Sequence, residues 1–499
     1  MHTFIFIQKK WPFSLVVMNE AESLYMSRIL ILGRMKKMNF TANDVELMIE
    51  NQRAFYFTGA TKDVEFRKEQ LLKLKDTIKK YEEQVIEALA LDLRKSEFEA
   101  FTTEIGIVYD SISYFLKNIN SWMEPQPVKT PLHFQPAKSY VVREPYGVAL
   151  IIGPFNYPFQ LIMEPLIGAI IGGNTAIVKP SESAEHTAFI VKKILGEVFP
   201  PEYIRVVEGE KDEVTALIHA SFDYIFFTGS VAVGKVVAKA AAERLTPIAL
   251  ELGGKSPAIV DQTADLDVAA KRIVWGKFNN TGQTCVAPDY VLVHTSVAKK
   301  FTRLLKKAIK EFYGHDPQQS QDYGRIINER QFDRLQTILD KERDTVTFGG
   351  RTDREDLYME PTVLENITWD RPSMEDELFG PILPIMTYEN LPKAIHEIRQ
   401  LPKPLSAYLF SENEKAIAYF LEELPFGGGC INDVITHVGN THLPFGGVGP
   451  SGVKAYHGKA SFENFTHPKS IMHRSNKLAN SLLYPPYKQK VKLVRTIMK

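Results

Sequence analysis

The chain has 499 residues, with 60 Lys plus Arg against 60 Asp plus Glu, so its formal charge is zero and a charge-driven role on nucleic acid or anionic membrane is excluded. Its two cysteines cannot build a disulfide framework and suit a reducing cytoplasm. No apolar run reaches the roughly 18–20 residues that span a bilayer, and the length fits two or three domains.

Residues 1–38 mix short apolar scraps with charges and lack the single apolar core of a signal peptide, so they read as an atypical N-terminal extension without function. Internal methionines at 18, 26, 35 and 38 make a start assigned too far upstream the alternative. Asp63 to about Leu91 carries Leu71, Leu74, Ile78, Tyr81, Val85 and Leu89 near helical spacing, which predicts one long amphipathic helix. Tyr146-Gly-Val-Ala-Leu-Ile-Ile-Gly153 reads as a buried strand, followed by an apolar helix near Gln160 to Ile171. The alternation continues with a strand at Thr175–Lys179, a helix near Ala184 to Val198, and strands at Ile204–Val207 and Tyr224–Phe227. Apolar strands alternating with helices predict α/β architecture, a doubly wound parallel sheet covered on both faces. A second α/β region runs from Glu251 to about Cys430. Pro125–Arg143 and Ala455–Ser470 read as strand-like outliers that pair into a small projecting sheet. In the tail, Val491, Val494 and Met498 form one helical stripe among Lys and Arg. That stripe suits a helix packed on its own domain better than a membrane-surface helix.

Cys285 closes the run Asn279-Asn-Thr-Gly-Gln-Thr-Cys285, and Glu251 opens Glu251-Leu-Gly-Gly-Lys-Ser-Pro257. A thiolate attacks carbonyl carbon well, and cleaving the resulting bond needs a base that takes a proton from water. Either residue alone has a plain structural reading, a buried filler or a surface carboxylate. The neighbouring glycines, Gly253, Gly254 and Gly282, allow close approach of a ligand to the main chain.

Phe226-Phe-Thr-Gly229-Ser-Val-Ala-Val-Gly234-Lys235 is a strand ending in glycine before a helix start, a junction that suits a phosphate. Its spacing approaches a Walker A loop, but Val236 stands where Ser or Thr must hold magnesium, and the Gly-x-Gly-x-x-Gly fingerprint is absent. Lys179-Pro-Ser-Glu182 follows a strand where doubly wound folds bind ligands, and a Glu there opposes a 2′-phosphate. An ordinary helix start explains the same residues.

Taken together these runs resemble the aldehyde dehydrogenases, and within them the class 3-like members, from about Phe40 to about Lys488. The further matching runs are Pro154-Phe-Asn156-Tyr-Pro158, Gly282-Gln-Thr-Cys285-Val-Ala-Pro-Asp289, Glu377-Leu-Phe379-Gly-Pro381, Pro444-Phe-Gly-Gly-Val-Gly449 and Tyr456-His-Gly458. The resemblance implies Cys285 as nucleophile, Glu251 as base, and Asn156 with the Cys285 amide as oxyanion donors. It implies Lys179 and Glu182 on the adenosine ribose, Ser230 with the Gly229–Gly234 turn on the pyrophosphate, Glu377 on the nicotinamide ribose and Phe379 beside its ring. The implied reaction oxidises an aldehyde to its acid with NAD, NADP being admissible too, through a cysteine thiohemiacetal and a thioester hydrolysed by Glu-activated water. Backbone donors and the cationic nicotinamide are expected to favour the Cys285 thiolate.

The implied layout is a dinucleotide-binding domain at 39–124 and 144–250, a catalytic domain at 251–435, oligomerisation strands at 125–143 and 455–475, and a C-terminal tail at 476–499. No metal centre, nucleic-acid partner or membrane span is read, and a cytoplasmic homodimer acting on a small aldehyde is expected. Val453-Lys454-Ala455 departs from the Met-Gly that relatives often carry there. Two other classes compete: a cofactor-free cysteine hydrolase using His294, and a catalytically dead, crystallin-like relative.

Overall fold

Strands β3 (Val148–Ile152), β4 (Thr175–Lys179) and β6 (Tyr224–Thr228) are buried at every position, as strands covered on both faces must be. With β5 (Ile204–Val206), β7 (Ile248–Glu251) and β17 (Gly452–Val453) they form a six-stranded sheet in the order β17-β7-β6-β3-β4-β5. Only β17 runs antiparallel. The order turns back between β3 and β6, the switch point at which such sheets leave a crevice beyond their carboxyl ends. The computed structural model describes residues 40–476, 484–488 and 490–497; the reading of residues 1–38 lies outside them. The described residues from Thr41 onward form one compact unit.

A second sheet has seven strands in the order β10-β13-β14-β9-β8-β15-β16. They are β10 (Val346–Phe348), β13 (Thr362–Leu364), β14 (Ile382–Tyr388), β9 (Tyr290–His294), β8 (Pro257–Val260), β15 (Ser406–Phe410) and β16 (Gly428–Ile431). All pairs but β10–β13 are parallel, so the amino ends of β8, β9, β14 and β15 share one edge. The segment Leu252–Ser256 leads from the carboxyl end of β7 directly to the amino end of β8. The carboxyl edge of one sheet and the amino edge of the other therefore border the same region.

The chain departs from the sequence expectations in three places. The long helix of 63–91 is two helices, Val64–Lys80 and Glu82–Leu93, with Tyr81 out of helical geometry between them. Lys79 and Lys80 end the first and Glu82 and Glu83 begin the second, each complementing its own helix dipole. Segment 455–470 is not strand throughout. His457 and Gly458 turn the backbone at positive φ, and the helix Gly458–Asn464 buries Ser461, Phe462 and Asn464 before β18 (Thr466–Arg474) starts. β18 then pairs with β2 (Ala137–Pro145), which pairs with β1 (Gln126–Val128), in a three-stranded antiparallel sheet. In the tail, a helix forms at Lys490–Ile497, yet Val491 is 55% exposed rather than packed, while Val494 is half-buried and Met498 lies outside the described residues. Among the described residues no helix is long and apolar enough to cross a membrane.

Candidate active site

The residues singled out in the sequence collect along that shared border. Asn156 follows β3, Lys179 ends β4 with Glu182 just beyond, Gly229 and Ser230 follow β6, and Glu251 ends β7. From the other side come the Cys285 loop ahead of β9 and the Glu377–Phe379 run ahead of β14.

Glu251 is 3% exposed and neither carboxyl oxygen has a hydrogen-bond partner. Burial pushes its carboxyl well above the usual carboxylate range. An unpartnered buried acid is costly, and such a group marks a working site more often than a structural one. Cys285 is half-buried and free. Burial, then the charges of Glu377 and Glu251, push its thiol up, and the amides of Cys285 and Val286 pull it down by less. The backbone donors do favour the thiolate, but in the protein alone desolvation and the two acidic neighbours outweigh them.

The loop before the thiol is held in unusual backbone. Asn280 and Thr281 lie at φ 48° and 54°, a region non-glycine residues seldom adopt. Asn280 is held there by its N–H donating to Glu99 at 2.9 Å and its side chain donating to the Asn156 carbonyl at 2.8 Å. Gly282, at φ 74°, sits so close to Gly380 that an added Cβ would meet its carbonyl oxygen at 2.3 Å. Gln283 ties the loop outward, donating to the Arg325 carbonyl at 2.9 Å and accepting from the Ile327 N–H at 3.0 Å. Tyr157 Oη and Thr284 Oγ1 lie 2.6 Å apart, one residue before the thiol.

Asn156 is 2% exposed, and its side-chain amide donates to the Gln283 carbonyl at 3.0 Å. The support beneath it was not read from the sequence. Lys95 and Glu104, both fully buried, pair at 2.5 Å, and Lys95 also donates to the Asn156 carbonyl at 3.0 Å. Glu104 accepts the N–H groups of Phe159 and Gln160 at 2.9 and 3.0 Å, at the start of the helix Gln160–Gly172.

The residues expected on the cofactor side offer groups that suit a dinucleotide. Lys179, 2% exposed, pairs with Glu182 at 2.5 Å. Burial raises the Glu182 carboxyl, but the Lys179 hydrogen bond and charge outweigh it and hold the group below its usual range. Ser230 caps the helix Val231–Arg244, whose first amides have no intrahelical partner and suit a phosphate. Gly234 also packs against Leu252, beside Glu251: an added Cβ would meet the end of that side chain at 2.5 Å and make it shift. Glu377 lies over Gly253, where a Cβ would meet its Oε2 at 1.9 Å. Burial, then the Asp289 charge, raise Glu377 to about 8. Phe379 meets Phe155 edge-on at 5.7 Å. His294, the hydrolase candidate, instead contacts Ser296 Oγ through Nδ1 at 2.8 Å and packs edge-on against Tyr388.

The sequence model of the aldehyde dehydrogenase family matches residues 33–471, most of the chain. The chain belongs to the aldehyde dehydrogenase family. This aldehyde dehydrogenase is similar to 4,4′-diaponeurosporen-aldehyde dehydrogenase of Staphylococcus aureus, 52% identical over 92% of this chain and 100% of the relative. It is also similar to the dimeric NADP-preferring aldehyde dehydrogenase of Mus musculus, 44% identical over 89% of this chain and 98% of that one. Among solved structures, the substrate-bound state of Staphylococcus aureus AldH has a TM-score of 0.90 and 51% identity, covering 93% of this chain and 100% of that one. Like its family, the enzyme is an NAD(P)-dependent oxidoreductase that converts aldehydes to acids through a cysteine, and it is class 3-like.

Proposed function

We propose that Cys285, Glu251 and Asn156 carry the chemistry, and that Lys179, Glu182, Gly229, Ser230, Gly234, Glu377 and Phe379 hold the cofactor. The supporting observation is the unpartnered, buried Glu251 carboxyl at the end of β7, on the border that the Cys285 loop also reaches. The Cys285 sulfur attacks the aldehyde carbon, and the developing oxyanion takes a hydrogen bond from Asn156 and from the Cys285 amide. Bound NAD(P)+ supplies the hydride acceptor. Loss of hydride from the thiohemiacetal leaves a thioester on Cys285. Glu251, as carboxylate, takes a proton from water, and the resulting hydroxide releases the acid and frees the thiol. Members that pass the acyl group to coenzyme A generally lack this Glu, so hydrolysis is the fate we assign.

The substrate we favour is a medium or long apolar aldehyde. Cys285, Ile435 and Val438 are half-buried and pack against the same apolar core, and the Staphylococcus aureus relative is named for a diaponeurosporen aldehyde. The Glu182 carboxylate opposes a 2′-phosphate and leads us to NAD over NADP, though the Mus musculus relative is named NADP-preferring. A homodimer is proposed through the β1-β2-β18 sheet, all three residues of whose edge strand β1 are exposed. Two free thiols support the cytoplasm as its compartment.

The test is a Cys285→Ala preparation given hexanal and either cofactor, with mass spectrometry of the parent for an acyl adduct on Cys285. We expect no turnover in the variant and a trappable adduct in the parent. Brisk oxidation by the variant with no adduct in the parent overturns the assignment.

A further inference from the structure

Three runs that meet at the site, Leu252–Ser256, Cys285–Asp289 and Ser373–Phe379, are joined by one ion pair between the half-buried Lys255 and the buried Asp289. Lys255 Nζ donates to Asp289 Oδ2 at 2.5 Å, to the Ser373 carbonyl at 2.9 Å and to the Asp376 carbonyl at 3.0 Å. Asp289 Oδ1 accepts the Leu378 N–H at 3.1 Å, and the Asp289 N–H donates to the Ser256 carbonyl at 2.8 Å. A second ammonium, Lys277 Nζ, lies fully buried 3.8 Å from Asp289 Oδ1 with no hydrogen-bond partner of its own. Glu377 stands between the two backbone groups, Asp376 C=O and Leu378 N–H, that the pair holds.

We propose that Asp289, with Lys255, is the positioning residue that aims the Glu377 carboxyl at the nicotinamide ribose and ties that aim to the loop carrying Cys285. This rests on the reading of Glu377 given above. An apolar filler could stabilise the same space at less desolvation cost. Only a charged pair with several donors and acceptors fixes the main chain on both sides of Glu377 at once. Asp289 is covalently four residues from the thiol, so the placement of the ribose contact and of the nucleophile share one anchor.

The test measures binding by calorimetry to the whole enzyme, with NAD+ and with ADP, which lacks the nicotinamide ribose. Asp289→Asn keeps an acceptor for Leu378 but loses the charge, and Lys255→Met removes the other partner. Both are expected to weaken NAD+ about tenfold, the loss of one well-aimed hydrogen bond, while ADP affinity is unchanged. Lys255→Arg should recover part of the NAD+ affinity. NAD+ affinity within twofold of the parent in Asp289→Asn overturns the proposal, and so does an equal loss for ADP, which would mark general structural damage. Glu377→Gln separates the two readings. Weakened NAD+ there with normal NAD+ in Asp289→Asn sinks only the positioning role, whereas normal NAD+ in Glu377→Gln sinks the Glu377 reading as well.

Discussion

The Asn156 side-chain amide donates to the Gln283 carbonyl at 3.0 Å, which joins the loop after β3 to the loop that carries Cys285. A carboxamide nitrogen has two N–H groups, so one bond to Gln283 leaves the other for an oxyanion. Asn156→Ala should lower kcat by roughly 10²–10³-fold. Steady-state kinetics with hexanal checks this, and near-normal turnover would remove Asn156 from the oxyanion role.

Glu251→Gln should separate the two chemical steps. The variant keeps the thiol and the hydride-transfer geometry, so a stopped-flow trace should show one burst of reduced cofactor per site. Turnover should then stall, because no base activates water. An undiminished steady-state rate would mean that another group does this work.

The same residue sets the direction of the pH profile. Burial raises both the Glu251 carboxyl and the Cys285 thiol, and both act in their deprotonated forms. Turnover should therefore rise with pH across the neutral range and fall on the acid side. A profile that is highest in acid would contradict the assigned roles.

Glu164 offers a stability test away from the chemistry. It is fully buried in the helix Gln160–Gly172, and burial, despite Ser111, raises its carboxyl from 4.5 to about 8. The folded form thus binds a proton that the unfolded chain has released between these two values. Its contribution is fully present below about pH 4.5 and is lost as pH rises through about 8. Glu164→Gln should flatten the decline in Tm over that window. Parallel Tm profiles for parent and variant would refute the shift.

Lys95→Met leaves Glu104 as an unpaired buried charge and removes a donor from the Asn156 carbonyl. A destabilisation of about 3–5 kcal/mol is expected in chemical denaturation. Adding Glu104→Gln should restore part of it, because the stranded charge is then gone. A double variant less stable than Lys95→Met alone would argue against this account.

The strands of the first sheet were legible because burial on both faces writes them as continuous apolar runs such as Val148–Ile152. The thiol and Glu251 stood out as candidates because small flanking residues set them apart, and the family motifs then supplied the remaining proposed positions. Lys95, Glu99 and Glu104 were not, since charged residues at helical spacing ordinarily face water and nothing local says that these do not. What buries them is the packing of segments distant in the chain, as when Glu104 accepts from Phe159 and Gln160. The break at Tyr81 did carry a local signal, the switch from Lys79-Lys80 to Glu82-Glu83. Glu164 had one too, as the lone acid in a helix otherwise free of charge.

Gly282 has a wider consequence. Because main chain meets main chain there, the spacing of the loop that carries Cys285 from the Gly380 segment is metered by backbone thickness. Natural or laboratory diversification of what this enzyme accepts must then proceed at other positions, because any side chain at residue 282 would push the two segments apart.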